Sequence, residues 1–294
     1  MTDTTPFAPS RSIADPLRQV TSGVIRWHGD ASAEATDELV AEEPLEIRAQ
    51  SGMAETIAVI MRTPGHDEEL AAGFLFSEGL ITRADELEAL TPGLDADGLP
   101  SPNILDVRAA AGVNLGQRMR ESGYSRQFAV NSSCGVCGKN TVEAACALLP
   151  PVPLDGFSIA PTTLYRLPDQ LRAEQRVFSA TGGLHGAALF DGAGALVAVR
   201  EDVGRHNAVD KLVGRALLSG EAPLRERALM VSGRLSFEIV LKALVARIPV
   251  IAAVSAPSSL AIDLARSGGI TLVGFLRGES CNVYSWPERI QGRR

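Results

Sequence analysis

The spacing of hydrophobic and polar positions in the first part of the chain is that of β-strands. Apolar and polar residues alternate over short runs that turn residues interrupt, a pattern typical of antiparallel strands. The runs are GVIRWHG, PLEIRA and ETIAVIMRTP, and they lie between Gly23 and about Arg62. We therefore predict that this region forms antiparallel strands.

The segment DEELAAGFLFSEGL has a helical period instead. Three acidic residues precede apolar residues at helical spacing, and acidic side chains favour a helix N-terminus. The sequence TPGLDADGLPSP, residues 91–102, predicts a loop, and NILDVRA and YSRQFAV predict further strands. The segment NTVEAACALL predicts a helix that ends at Pro150, and we place a domain boundary near residue 150.

Beyond Phe178, strand-like and helix-like segments alternate regularly. The runs HGAALFD and ALVAVRED predict a hairpin, and ALMVSG, VIAAVS and TLVGFL predict strands joined by helices near residues 207–219, 236–247 and 258–266. This order predicts an α/β layered domain with a mostly parallel sheet that begins with a hairpin. Overall, the sequence predicts an α/β chain, or α+β when taken as a whole. Its parts are a flexible leader (1–20), a β-rich region (21–150) and a layered α/β domain (151–294).

The loops at the strand ends of the second part are the predicted ligand site, because ligands of open α/β sheets bind beyond the carboxyl ends of the strands. These loops are SATGGLHG, REDVGRHN, SGRLS, SAPSS and FLRGES, and the basic and histidine side chains on or near them are Arg205, Lys211, Arg234, Arg277, His185 and His206. Backbone N–H groups at helix starts favour anions, so the loops together predict a phosphate-binding surface. Ordinary capping by serine is the alternative for each loop taken alone.

Composition narrows the class of protein. Of the 294 residues, 45% are hydrophobic, so the chain can bury a core, and its net charge of −7 argues against a protein that coats nucleic acid or a membrane. No apolar stretch approaches the ~18–20 residues that cross a bilayer, and the N-terminus lacks the features of a secretion signal, so we expect a protein that is neither membrane-bound nor exported. The chain also lacks the glycine spacings of standard ATP- and dinucleotide-binding motifs.

Cys134 and Cys137 are the candidate reactive thiols, in the sequence NSSCGVCGK. A predicted helix start and Lys139 favour the thiolate form, which is the nucleophile. Half of a zinc site or an incidental disulfide remains an alternative. A second C-x-x-C is missing, however, and Cys146 and Cys281 are isolated, which leaves His28, His66, His185 and His206 as possible completing ligands. Thioredoxin-like chemistry is a further alternative, although its motif normally lies early in a βαβ unit. Cys146 and Cys281 are most simply packing residues.

The chain resembles the formate dehydrogenase accessory sulfurtransferase family, FdhD, over residues 38–290. The resemblance rests on segments in the same order: EEPLEIR, MRTPGHDEELAAGFLFSEGLI, NSSCGVCGK, TGGLHGAALFD, REDVGRHNAVDKLVG, SGRLSFEIV and SAPSSLAIDLA. It implies a cytoplasmic homodimer that accepts sulfur as a cysteine persulfide from a cysteine desulfurase. The sulfur then passes to the molybdenum cofactor, bis(molybdopterin guanine dinucleotide), which formate dehydrogenase requires.

The resemblance also implies site residues and a fold for the second part. Cys134 matches the position that carries the persulfide, and we assign Cys137 as the assisting thiol. The family's cofactor-binding stretch matches Phe275, Leu276, Arg277, Gly278, Glu279 and Ser280. The second part resembles the cytidine deaminase fold, although the zinc signature of deaminases is missing, so deamination is not implied. We expect no permanently bound metal.

Two residues depart from the family pattern: Gly186, where alanine is expected, and Glu279, an acidic residue in a proposed anion site. A rival function of a different class is a chaperone that holds the cofactor without covalent sulfur chemistry, and a zinc-binding structural protein is a third hypothesis.

Overall fold

The computed structural model describes residues 18–121 except residue 52, and residues 149–291 except residue 155. Residues 1–17 of the predicted leader, the C-x-x-C segment, the predicted strand YSRQFAV and nearly all of the predicted helix before Pro150 lie outside the described residues. The division of the chain into three parts therefore stays a prediction.

The N-terminal part contains a two-stranded ribbon and a four-stranded sheet. The ribbon pairs β1 (Gln19–His28) with β2 (Ala31–Val40). The sheet has the strand order β4-β3-β6-β5 and consists of β3 (Glu43–Ser51), β4 (Met53–Arg62), β5 (Leu87–Leu94) and β6 (Pro100–Ala109). The helices of this part are α1 (Asp67–Ser77) and α2 (Leu115–Glu121).

Three predictions for this part need correction. Strand β2 was not predicted, and β1 begins at Gln19, inside the predicted leader. The predicted loop 91–102 contains the end of β5 and the start of β6, so only residues 95–99 connect the two strands. The helix predicted at DEELAAGFLFSEGL is confirmed as α1.

The C-terminal part is built around a mixed sheet. Three short helices lead into it: α3 (Pro161–Leu164), α4 (Leu167–Glu174) and α5 (Arg176–Thr181). The sheet has six strands within the described residues, namely β7 (His185–Phe190), β8 (Leu196–Asp202), β9 (Ala228–Val231), β10 (Val250–Ala253), β11 (Thr271–Arg277) and β12 (Ser280–Ser285). The longer helices are α6 (Arg205–Leu218), α7 (Phe237–Val245) and α8 (Ser259–Ser267). The overall class, mixed α/β, is the predicted one.

The direction of the strands differs from the prediction of a mostly parallel sheet. The order is β12-β11-β10-β9-β7-β8, and only the neighbours β9, β10 and β11 form parallel pairs. Strand β7 pairs antiparallel with β8 and β9, and β12 pairs antiparallel with β11. The predicted hairpin at the start of the sheet is confirmed, and β12 was not predicted.

The core is continuous across the predicted boundary near residue 150. One cluster of buried residues contains Leu45 from β3, Leu75 from α1, Leu212 from α6 and Val240 from α7. A second, smaller cluster covers the other face of the mixed sheet and includes Phe190 and Leu276. Helix α1 thus packs in the helical layer of the C-terminal part.

Two glycines allow α1 and α6 to approach closely. A Cβ atom on Gly73 would overlap the carbonyl oxygen of Asp210, and one on Gly214 would overlap the carbonyl oxygen of Glu69. The two backbones are therefore in direct contact where these helices cross.

Candidate functional site: one edge of the mixed sheet

The five predicted ligand loops meet at one edge of the mixed sheet. Strands β9, β10 and β11 end there because they are parallel. Strand β7 begins at the same edge because it runs opposite to β9, and β8 ends there because it runs opposite to β7. The prediction that these loops lie together is confirmed, and the hairpin adds His185 and the start of α6 to the parallel-strand loops. We call this region the ligand edge.

Backbone hydrogen bonds hold neighbouring loops of the ligand edge together. In the loop after β9, the Leu235 N–H donates to the Ala256 carbonyl at 3.2 Å, and the Leu235 carbonyl accepts from Ser258 N–H at 2.9 Å. The Phe275 N–H in turn donates to the Ser255 carbonyl at 3.2 Å. The loops after the three parallel strands therefore form one connected surface.

A cationic cluster occupies the part of the edge near β7. A Cβ atom on Gly233 would lie 3.4 Å from Nδ1 of His185 and 3.8 Å from Cδ of Arg205, so both side chains border this glycine. Burial lowers the pKa of His185, and the positive charges of Arg205 and Arg234 lower it further. The Nε atom of Arg205 is buried without a hydrogen-bond partner among the described residues. An anion bound here would supply that missing acceptor.

His206 contacts two side chains at the start of α7. Its Nε2 atom lies 3.1 Å from Oγ of Ser236 and 2.9 Å from Oε2 of Glu238. Both partners are on the same ring nitrogen, whereas a Ser–His–acid relay needs one partner on each nitrogen. This arrangement is therefore not a hydrolase triad. The bond to His206 lowers the pKa of Glu238, which keeps that carboxylate charged.

The two predicted serine caps differ in what their side chains do. The Ser258 hydroxyl accepts a hydrogen bond from Ala261 N–H at 3.3 Å and caps α8, as the simpler interpretation predicts. The Ser236 side chain makes no such bond to α7 and contacts His206 instead. The first N–H groups of α7 are thus without a side-chain cap at the ligand edge.

The predicted cofactor-binding stretch spans the end of β11, the turn after it and the first residue of β12. Phe275 is 41% exposed and has a positive φ of 53°, a conformation that bulky residues rarely adopt. Arg277 is exposed, and its Nε donates to the Val254 carbonyl at 3.2 Å. Glycine at position 278 also has a positive φ, and Glu279 and Ser280 are exposed. Leu276 is buried in the smaller core cluster, so only its backbone is available to a ligand. The stretch is not the end of the sheet, because β12 follows it.

Lys211 does not belong to the ligand edge, which corrects its predicted place near the loops. It is fully buried in α6, 2.7 Å from the equally buried Asp202 carboxylate. Burial lowers the pKa of Lys211, and Asp202 opposes that effect. Asp202 also accepts from the backbone N–H groups of Thr63 and Gly204 at 3.2 and 2.8 Å. This network holds the segment that carries Arg205 and His206 against the end of β4.

Of the four cysteines, one lies among the described residues and three lie outside them. Cys134, Cys137 and Cys146 lie outside the described residues, so their predicted roles stay predictions. Cys281 is a free thiol in β12, half-buried against the smaller core cluster, which confirms its predicted packing role. Over the part of the chain that the structure describes, no three metal-ligating side chains come together.

Sequence reasoning missed Glu238 and Asp202 as members or supports of the site. Both follow a recognisable local signal, since Glu238 comes two residues after the start of the SGRLS helix and Asp202 is two residues before Gly204. Their contacts, however, are to residues far away in the sequence, which no local pattern reveals.

Together these observations define a mixed α/β protein whose sheet presents a ligand edge lined by cations, helix starts and an exposed aromatic ring. The chain belongs to the FdhD/NarQ family, whose model matches residues 40–291.

Named relatives agree with this membership. The sulfur carrier protein FdhD of Streptomyces avermitilis is 54% identical over 276 residues, which cover 91% of this chain and 94% of the relative. The protein of the same name from Sulfurisphaera tokodaii is 42% identical over 267 residues, covering 91% and 97%. A crystal structure described as a candidate formate dehydrogenase accessory protein of Desulfotalea psychrophila has a TM-score of 0.70 and 27% identity, covering 93% of this chain and 99% of that one.

Among the residues that the structure describes, no helix is long and apolar enough to span a membrane.

Proposed function

We propose that this chain is a sulfur carrier and sulfurtransferase for formate dehydrogenase. It accepts sulfur as a persulfide on Cys134 from a cysteine desulfurase and delivers it to the molybdenum cofactor, bis(molybdopterin guanine dinucleotide), which is its bound substrate. Family membership and the name of its relatives, sulfur carrier protein FdhD, support the class of function. The structural observation that carries the proposal is the ligand edge.

The ligand edge fits a large anion of this kind. The cofactor has guanine ends and several phosphates, so it needs an aromatic surface and many donors. Phe275 offers an exposed ring and Arg277 an exposed guanidinium, and Arg205 and Arg234 provide charge near the start of α6. The free N–H groups of helix starts add donors that suit phosphate. Glu238 and Glu279 are the charges of opposite sign that a bound phosphate would avoid.

The proposed chemistry balances in two steps. The Cys134 thiolate attacks the terminal sulfur of the desulfurase persulfide, a new S–S bond forms on Cys134, and the desulfurase cysteine leaves as a thiolate. The Cys137 thiolate then attacks the Cys134 sulfur, so that a Cys134–Cys137 disulfide forms and the terminal sulfur leaves as hydrosulfide with two electrons. The hydrosulfide is what the molybdenum receives, and a cellular thiol reductant restores the two cysteines.

Mass spectrometry after incubation with a cysteine desulfurase and cysteine tests the persulfide. We expect the mass of one sulfur on the peptide that contains Cys134, and its loss in Cys134→Ala. Cys137→Ser is expected to retain the adduct but to slow its release in a single turnover. An adduct on another peptide, or one that survives in Cys134→Ala, contradicts the role of Cys134, and release at the normal rate in Cys137→Ser contradicts the role of Cys137.

A non-covalent cofactor chaperone is the second candidate, because the ligand edge alone accounts for binding. It predicts that the cofactor binds and that an active desulfurase leaves no sulfur on the chain. The same mass measurement therefore separates the two functions.

The remaining proposals concern the cellular location, the oligomeric state and the partners of the chain. We propose that it acts in the cytoplasm as a homodimer, with a cysteine desulfurase and formate dehydrogenase as its partners and without nucleic acid or membrane binding. Its role as an accessory protein of formate dehydrogenase has support from the structural relative.

A further inference from the structure

The ribbon of β1 and β2 stands apart from the rest of the described chain. Besides the pairing of its own strands, it is attached at its root, where Ala41 N–H donates to the Arg18 carbonyl at 2.9 Å, and β2 contacts α5 and the following Gly183, against which Val40 packs. Ten consecutive residue pairs without a bulge join the two strands, from Gln19↔Val40 to His28↔Ala31. Within the described residues, nothing pairs with the outer edge of either strand.

Large apolar side chains are exposed on both faces of the ribbon. Trp27 and Ile25, on one face, are 67% and 59% exposed, and Val20 and Leu39, on the other, are 51% and 42% exposed. An isolated two-stranded ribbon is at best marginally stable in water, so these side chains need cover. Exposed apolar residues grouped in this way mark an interaction surface.

The charges of the two strands distinguish their outer edges. Strand β2 carries Glu34, Asp37 and Glu38 and no basic residue, whereas β1 carries Arg26 and no acidic residue. Charges protect β2 from pairing with a second copy of itself, because acidic side chains would face acidic side chains. Strand β1 has neither proline, lysine nor bulge, which are the usual protections of an exposed edge.

Gly23 lies at the middle of β1, and its own chain gives no reason for a glycine there. A Cβ atom on Gly23 would meet nothing within 4 Å, and the residue has no positive φ. Glycine inside a strand often marks a place where another backbone approaches closely. A surface hollow also surrounds it, lined by Gly23, Val24, Ile25, Glu34, Ala35 and Thr36.

We infer that β1 pairs antiparallel with β1 of a second copy of this chain, around a two-fold axis at Gly23. Contact between identical edges about such an axis is reciprocal, so the pairing closes into a dimer rather than a filament. In this register Gly23 faces Gly23 of the other copy, and Arg26 faces Val20 rather than another arginine. Trp27 lies opposite Gln19, beside the root of the other ribbon. The inference specifies the surface for the proposed homodimer and is independent of the sulfur chemistry.

Sedimentation equilibrium of the full chain tests whether the ribbon forms the dimer. We expect the wild-type chain to be dimeric and Trp27→Glu to raise the dissociation constant of the dimer at least about tenfold, because buried aromatic residues are typical interface hot spots. Leu99→Glu is the matched control, because Leu99 is equally exposed (62%) but lies in the β5–β6 connection. A monomeric wild-type chain, or a dimer that Trp27→Glu leaves intact, overturns the inference.

A crosslink tests the position of the axis without disturbing Trp27. Directly opposed residues of antiparallel strands have Cα atoms about 4.5–5.5 Å apart, within disulfide range. Oxidation of Gly23→Cys should therefore give a covalent dimer that reductant reverses. Ala33→Cys on β2 and the wild-type chain, which carries the native cysteines, should give none. A dimeric Gly23→Cys chain that stays uncrosslinked, or equal crosslinking in the controls, overturns the pairing at Gly23. These outcomes do not depend on whether Cys134 carries sulfur.

Discussion

Single residues at the site show which roles a sequence can reveal. Arg205, Arg234, His185 and His206 were recognised from their glycine-flanked loops, and they do lie at the ligand edge. Lys211 was grouped with them because it is only a few residues further along the chain. It lies about 1.7 helical turns after Arg205, however, and it points into the core toward Asp202. Whether a side chain on a helix is buried or exposed depends on which elements pack against its side of the helix. The linear sequence does not contain that information.

His66 is a half-buried residue for which a pH effect is expected. Burial, followed by the charges of Arg200, Arg18 and Lys211, lowers its pKa to about 3. At pH values between the lowered pKa and the usual pKa of 6.5, His66 is protonated in the unfolded chain but not in the folded chain. Lowering the pH in this range therefore lowers the free energy of unfolding. The effect is at most about 1.4 kcal/mol per pH unit. The contribution is complete above pH 6.5 and is lost as the pH falls toward 3.

His66→Asn is the informative substitution, because His66 has a φ of 59° and asparagine tolerates this left-handed conformation. We expect the free energy of unfolding, measured with urea at pH 7, 6 and 5, to fall less steeply in His66→Asn than in the wild type. His28→Asn, at the exposed end of the ribbon, is the control. Equal slopes in the wild type and His66→Asn would show that His66 does not titrate in this way.

Whole elements were predicted where their apolar pattern is strong and missed where it is weak. Strands β9, β10 and β11 are continuous apolar runs because neighbours cover them, and all three were recognised. The end of β5, residues 91–94, was predicted as part of a loop because it contains Pro92 and Gly93. Both residues are tolerated there because β5 is an edge strand. Strand β2 is polar and exposed, and β12 is a half-exposed edge, so neither has a strong apolar period.

The crossing of α1 and α6 provides a prediction at this scale. Gly73→Ala is expected to lower the free energy of unfolding by about 1–3 kcal/mol or more, because its Cβ would meet backbone atoms that cannot move aside. Gly116→Ala in α2 is the control, since its Cβ would meet the flexible end of the Glu55 side chain. There we expect little change, or a gain of up to about 1 kcal/mol from helix propensity. Equal effects of the two substitutions in urea unfolding would contradict this account.

For the whole molecule, the net charge and the local charge of the site have opposite signs. The chain carries −7 overall, while the ligand edge gathers Arg205, Arg234 and Arg277. The sequence revealed the loops that form this edge. It predicted the hairpin of β7 and β8 but not that β7 also pairs antiparallel with β9, and this direction brings His185 to the same edge as the arginines.

Binding of guanosine diphosphate, which resembles one end of the proposed substrate, tests whether the arginines of the ligand edge bind phosphate. We expect Arg205→Ala and Arg234→Ala each to weaken its binding about tenfold in calorimetry, because a charge-assisted hydrogen bond contributes about 1.5–3 kcal/mol. Added salt should weaken binding to the wild type as well. Arg83→Ala, which removes an exposed arginine paired with Asp85, is the control. Unchanged affinity in both site variants would contradict the assignment of phosphate to this part of the edge.

The shared core also determines when this protein can fold during its synthesis. Ser77 of α1 is hydrogen-bonded to Asp210 of α6, 133 residues later, and the ligand edge needs β11, which ends at Arg277. Contacts between such distant residues form slowly and cannot form before both partners have been translated. The first helix must therefore wait, with its apolar side uncovered, until most of the chain has left the ribosome. The ligand edge is completed only with the last strands, so an incomplete chain lacks the surface proposed to bind the substrate.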